Sequence, residues 1–237
     1  MLSDLSIEIF ADGADIKEML ELSRLPYISG LTTNPTLMRM AGITNYTEFA
    51  KEVLDGISKK PVSFEVFSDE IEEMVTQGKK IASWGENVFV KIPITNTKGI
   101  PTAPAIKELC KLGVKVNVTA VMTMKQVDSV LESLNPFVDS NISVFAGRIA
   151  DTGVDPLPII RNCLEITSQM KSIKLIWASP RELLNIFQAD SIGCHIITAT
   201  KEILNKIPKI GYDLDSYSLD TVNMFYRDAA ASKYAIQ

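Results

Sequence analysis

Eight short runs rich in β-branched residues recur along the chain, and each is followed by a stretch of helical periodicity. They are SIEIFAD (6–12), YISGLTT (27–33), PVSFEVF (61–67), NVFVKIPI (87–94), VKVNVTAV (114–121), NISVFAG (141–147), KLIWAS (174–179) and SIGCHIITA (191–199). Parallel strands need a crossover between them, and eight strands alternating with helices predict an α/β fold, a (β/α)8 TIM barrel. The intervening segment DEIEEMVTQGKKIASW (69–84) puts Ile71, Met74, Val75 and Ile81 on one face with charges opposite, and Gly113 ends a helix just before the fifth strand. At 237 residues with 46% hydrophobic content, and without a composition shift, repeat or low-complexity stretch, residues 1–237 are expected to form one domain. The segment SLDTVNMFYRDAAASKYAIQ (218–237) reads as an additional C-terminal helix with apolar Leu219, Val222, Phe225 and Tyr226.

Strand parity separates an outer face from an inner one. In the fifth strand Val116, Val118 and Ala120 share one face and Asn117 and Thr119 the other. The same split sets Glu8, Phe10 and Asp12 against Ile7, Ile9 and Ala11, and Ser63, Glu65 and Phe67 against Phe64 and Val66. It sets Phe89 and Lys91 against Val88, Val90 and Ile92. The apolar faces must be covered by helices, so the others line the lumen, with Trp177 and Ser179 inward on the seventh strand. Asp12, Glu65, Lys91, Asn117, Thr119 and Ser143 then converge at the C-terminal strand ends, where barrel active sites are built. Burying that many polar groups is unfavourable unless they pair with one another, with water or with a ligand.

Lys91 lies in the most apolar strand, VFVKIPI. Withdrawing an ammonium from water disfavours its charged form and brings a nucleophilic amine within reach, which is how an enzyme prepares a lysine to form a Schiff base. A lysine with two carboxylates, Asp12 and Glu65, suits carbon–carbon bond chemistry through an imine; the carboxylates can move the protons and no cofactor is required. Arg148, after the sixth strand, and Ser179 and Arg181, after the seventh, converge where barrel phosphate sites recur, and a helix expected to begin near Pro180 adds its N-terminal dipole. The partner is accordingly expected to be a phosphorylated small molecule.

Other functions are excluded by what the chain lacks. A net charge of −5 with no basic run argues against nucleic acid, and no 18 apolar residues run together as a membrane span would require. A soluble cytoplasmic protein is expected. The single histidine, His195, cannot supply a histidine-rich metal site and reads as structural, so no metal is expected; Cys110, Cys163 and Cys194 read as reduced packing residues.

Four segments carry a resemblance. GLTTNPTLM (30–38), VFVKIPIT, VNVTAVMT and ISVFAGRIAD resemble the signature segments of the transaldolase family, in particular its small subfamily that includes the fructose-6-phosphate aldolases. The resemblance spans nearly the whole chain, with the lysine on the fourth strand as in transaldolases. It implies Lys91 as the Schiff-base nucleophile and Asp12 as the acid/base for the C4 hydroxyl, with Glu65 and Thr119 holding a water. It implies Asn34, Asn117 and Ser143 on the dihydroxyacetone unit, and Arg148, Ser179 and Arg181 on the phosphate. Thr33 is expected to shape its loop. Transaldolases are similar to this chain in having glutamate at Glu65 and phenylalanine at Phe145, where the aldolase branch has glutamine and tyrosine. The implied activity is transfer of dihydroxyacetone between sugar phosphates by a homo-oligomer. Two alternatives stand beside it: a fructose-6-phosphate aldolase-type lyase and a non-catalytic phosphosugar-binding barrel. Departures from the family pattern lie at Pro180, at the end of the eighth strand, which runs into TATKEIL without the usual proline, and in residues 96–104, which look long and are expected near the barrel mouth.

Overall fold

The computed structural model describes residues 2–232, and all eight expected strands form there. They are β1 (Glu8–Asp12), β2 (Ile28–Thr32), β3 (Val62–Glu65), β4 (Val88–Pro93), β5 (Val116–Val121), β6 (Ser140–Val144), β7 (Ile173–Trp177) and β8 (Ile196–Thr200). Each pairs in parallel with its neighbour in sequence and β8 pairs back onto β1, so the sheet closes into a barrel. Helices fill every interval, and their starts are written in the sequence. Asp15, Asn34, Asn45 and Asp155 each accept a backbone N–H at a helix N-terminus, and Thr123 and Gln126 form a reciprocal capping box. The helix expected over 69–84 spans Ile71–Ala82 and buries Met74 and Ile81. Gly113, at φ +76°, follows the helix Ala103–Lys111 and ends it, with the Val114 N–H returning to the Leu109 carbonyl.

The main apolar core lies between sheet and helices and takes in the outward residues of the strands, among them Ile9, Phe64, Val90, Val118 and Leu175. A second, small cluster of Phe10, Ile176, Ala178 and Ile196, with Phe145 against it, fills part of the lumen. At the N-terminal end of the lumen Glu8 pairs with Lys174. His195 is structural, as expected: its Nδ1 accepts the Leu175 N–H at 3.0 Å, and burial holds the imidazole below its ordinary value and so neutral. The three cysteines are free and buried, and burial pushes the thiols up, Cys163 to about 11 and Cys194 to about 12, which leaves them inert.

Three parity assignments fail. Trp177 faces the helices, because Ile176 in β7 and Ala178 just past its end take the inward positions. Phe67 lies beyond the end of β3, half exposed, with its ring 4.5 Å from that of Tyr46. Ala120 faces the lumen: between Val118 and Val121 the register with β6 shifts by one residue, and Ala120 takes φ +61° to accommodate the bulge.

Past β8, the helix Leu214–Ser232 carries the expected apolar residues but buries none of them; Leu219, Val222, Phe225 and Tyr226 are all exposed. Residues 233–237 of that expected helix, and Met1, lie outside the described residues. Among the described residues no helix is long and apolar enough to cross a membrane.

Candidate active site

At the C-terminal ends of the strands the barrel opens into a cavity of about 420 Å³, large enough for a phosphorylated sugar. Lys91 rises into it from β4. Only 6% exposed, it donates from Nζ to the Thr33 carbonyl at 2.6 Å and lies 3.2 Å from Glu65 Oε2. The β3–β4 register sets Glu65 beside Lys91. Tyr46 fixes the end of β3 by donating its phenol to the Glu65 carbonyl at 3.0 Å, within an aromatic cluster with Phe49, Phe64 and Trp84.

Asp12 ends β1 on the neighbouring wall. Its Oδ1 accepts from Thr32 at 2.7 Å and its Oδ2 from Asn34 Nδ2 at 3.2 Å. Asn34 is oriented from its other end: as helix N-cap its Oδ1 accepts the Leu37 N–H, which turns the Nδ2 toward Asp12. Burial raises the Asp12 carboxyl above its ordinary 3.8; Lys91 and the Thr32 hydrogen bond oppose the rise and the nearby Glu65 charge adds to it.

Thr119 lines the cavity with a buried Oγ1 that has no partner. Beside it Ser143 donates to Asn117 Oδ1 at 2.7 Å, and Asn117 Nδ2 donates to Ser63 at 3.1 Å. Asn117 therefore forms a belt beneath the cavity and not part of its wall; it commits the proton of Ser143 and leaves the serine oxygen as an acceptor. Phe145 closes the adjacent side.

Arg148, Ser179 and Arg181 lie together on the rim. Their approach depends on Gly147, where a Cβ would fall 1.6 Å from the Ser179 carbonyl oxygen. Ser179 takes φ +59°, which lets both Ala178 and Ser179 face the cavity. Asp151 holds Arg181 in a two-pronged ion pair and is itself held below the usual carboxylate range by it. The helix expected at Pro180 starts only at Leu184: the N–H groups of Arg181 and Glu182 are taken by the Asn185 side chain, so no helix N-terminus points at the rim from residue 180.

The arrangement places a buried amine, two carboxylates, an unpartnered hydroxyl and two arginines around one sugar-sized space. The transaldolase/fructose-6-phosphate aldolase family model matches residues 9–236. The chain belongs to that family. A probable transaldolase of Streptococcus agalactiae serotype V is 36% identical over 193 residues, covering 81% of this chain and 85% of the relative. Another from a Thermoanaerobacter species is 33% identical, covering 86% and 90%. Among solved structures, KGPDC from Streptococcus mutans aligns at TM-score 0.58 and 11% identity over 84% of this chain and 90% of that one. A putative phosphonomutase from Burkholderia cenocepacia gives 0.58 and 9% over 96% of each. At those identities the likeness is one of fold, the TIM barrel.

Of the site residues read from the sequence of this transaldolase-family chain, Asp12, Asn34, Glu65, Lys91, Thr119, Ser143, Phe145, Arg148, Ser179 and Arg181 line the cavity; Asn117 lies one layer below. Residues 96–104 follow β4 as expected but stay off the cavity wall, with Thr97 tied to Asp69 of the preceding loop. Thr32, Thr198 and Thr200 also line it and were not singled out. Parity was the available signal, since the β1–β8 register pairs Phe10 with Thr198 and Asp12 with Thr200. The Thr33 carbonyl that receives Lys91 leaves no trace in residue type.

Proposed function

We propose that the chain is a transaldolase that moves a dihydroxyacetone unit from a ketose phosphate, such as sedoheptulose 7-phosphate, to an aldose phosphate, such as glyceraldehyde 3-phosphate. The observation that carries the reading is the Lys91 amine, buried at the floor of a sugar-sized cavity between the Glu65 carboxylate and the Thr33 carbonyl, with two arginines on the rim. Lys91 gives a proton to Glu65 and attacks the ketose carbonyl. The carbinolamine loses water through Glu65 and Thr119, whose unpartnered hydroxyl is free to hold it. The resulting iminium accepts the electron pair of the breaking C3–C4 bond while Asp12 takes the C4 hydroxyl proton, and the aldose phosphate leaves. Burial raises the Asp12 carboxyl above its ordinary value, which makes it a stronger base for that proton than an exposed aspartate. Attack of the enamine on an acceptor aldehyde reverses these steps, and hydrolysis frees Lys91. Ser143 and Asn34 hold the dihydroxyacetone hydroxyls; Arg148, Ser179 and Arg181 hold the phosphate. The exposed apolar side of the C-terminal helix supports a homo-oligomer in which it docks on a neighbouring copy.

Phe145 and Glu65 favour transfer over free cleavage, because a phenyl wall supplies no hydroxyl to place water against the enamine. Donor consumption measured with and without acceptor tests this. Little dihydroxyacetone is expected from donor alone, and Phe145→Tyr is expected to raise its release. Comparable rates in both reactions, with dihydroxyacetone accumulating, would make the protein a lyase.

A further inference from the structure

Beside Asp12 lies a chain of hydroxyls that the proposed steps do not use. Thr32 Oγ1 is 2.7 Å from Asp12 Oδ1 and 2.6 Å from Thr198 Oγ1, and both threonines are buried. A hydroxyl has one proton to give. When Asp12 is charged it accepts the proton of Thr32, so the 2.6 Å contact must be one in which Thr198 donates to Thr32. Asn34 cannot substitute, because the Leu37 N–H fixes its amide with Nδ2 on the other oxygen of Asp12.

We propose that Thr198 is a positioning residue for Asp12, acting through Thr32: by donating to Thr32 it aims and polarises the Thr32 hydroxyl at the carboxylate and so sets how readily Asp12 takes up a proton. Hydrogen bonds in series strengthen one another in a low-dielectric interior, and the outer member here stands on β8, across β1 from Thr32. The inference rests on the reading of Asp12 as the acid/base. The charged groups facing Asp12 are Lys91 from β4, which favours the carboxylate, and Glu65 from β3, which opposes it; none of the substitutions below removes either.

The test is a titration of the Asp12 carboxyl by 13C NMR in the full-length protein, assigned with Asp12→Asn, and compared with the acid limb of kcat/KM for a ketose phosphate donor. Thr32→Val is expected to raise the Asp12 midpoint by on the order of one pH unit, the worth of one hydrogen bond to a carboxylate. Thr198→Val and Thr198→Ala are expected to raise it in the same direction by less, Thr198→Ser to restore it, and the Thr32→Val/Thr198→Val double variant to match Thr32→Val alone. The acid limb should move with the midpoint. An unchanged or lowered midpoint in both Thr198→Val and Thr198→Ala, or a double variant that exceeds Thr32→Val, overturns the proposal. Because the titration needs no turnover, failure of the relay is separable from failure of the transaldolase reading, which would appear as absent donor chemistry in a protein whose Asp12 still responds to Thr198.

Discussion

Three charges crowd the cavity floor, and each is held by a different kind of partner. Lys91 has a carboxylate and a backbone carbonyl, Glu65 has the lysine, and Asp12 has only neutral donors in direct contact. A buried ion pair adds little net stability but is strongly destabilised when one member is removed, so Lys91 and Glu65 are poor sites for silent substitution. The rim follows another rule. Arg181 spends two N–H groups on Asp151, and the pair is half exposed. Arg181→Ala is expected to weaken a phosphorylated donor by about 1.5–3 kcal/mol, roughly 10- to 150-fold, and to leave a dephosphorylated analogue nearly unaffected. Binding of both donors measured by calorimetry decides it; equal losses would place Arg181 away from the phosphate. At this scale residue types and their strand positions made most of the site legible. What escaped is backbone chemistry and orientation: the Thr33 carbonyl on Lys91, and the amide of Asn117 turned to its neighbours instead of the cavity.

Strand parity held along most of the barrel and failed at Trp177 in β7, at Phe67 past the end of β3, and at Ala120, where the backbone leaves the extended region. Ala120 and Ser179 are the non-glycine residues of the described chain with positive φ, and both line the cavity. The left-handed conformation is unfavourable by roughly 1–2 kcal/mol for such residues, a strain concentrated at the site. A period-two pattern has no means of announcing it. The helix Leu214–Ser232 was legible as an element, yet which surface covers it was not, because its apolar residues find no partner within the described barrel. If it docks on another copy, light scattering should give the mass of an assembly for the full chain, and Phe225→Asp should reduce it toward that of one chain. A full-length protein that is already monomeric at micromolar concentration would contradict the docking.

For the whole molecule, closure of the barrel converts scattered sequence positions into one constellation. Asp12, Glu65, Lys91 and Ser143 lie far apart in the chain, and the unbroken pairing of neighbouring strands from β1 round to β8 brings their strand ends to one mouth. Eight runs alternating with helix-period segments were enough to predict that closure, since each strand needs only its own pattern and its crossover. The exact strand ends were not, because they depend on neighbours: β3 stops at Glu65 where Tyr46 takes its carbonyl, two residues short of Phe67. The central claim is that this closure prepares the Lys91 amine for a ketose carbonyl. Borohydride reduction in the presence of a ketose phosphate, followed by peptide mass mapping, tests it most directly. The expected result is a dihydroxyacetone-derived adduct on Lys91, absent without donor and absent in Lys91→Ala; an adduct on another lysine, or donor turnover that survives Lys91→Ala, would contradict it.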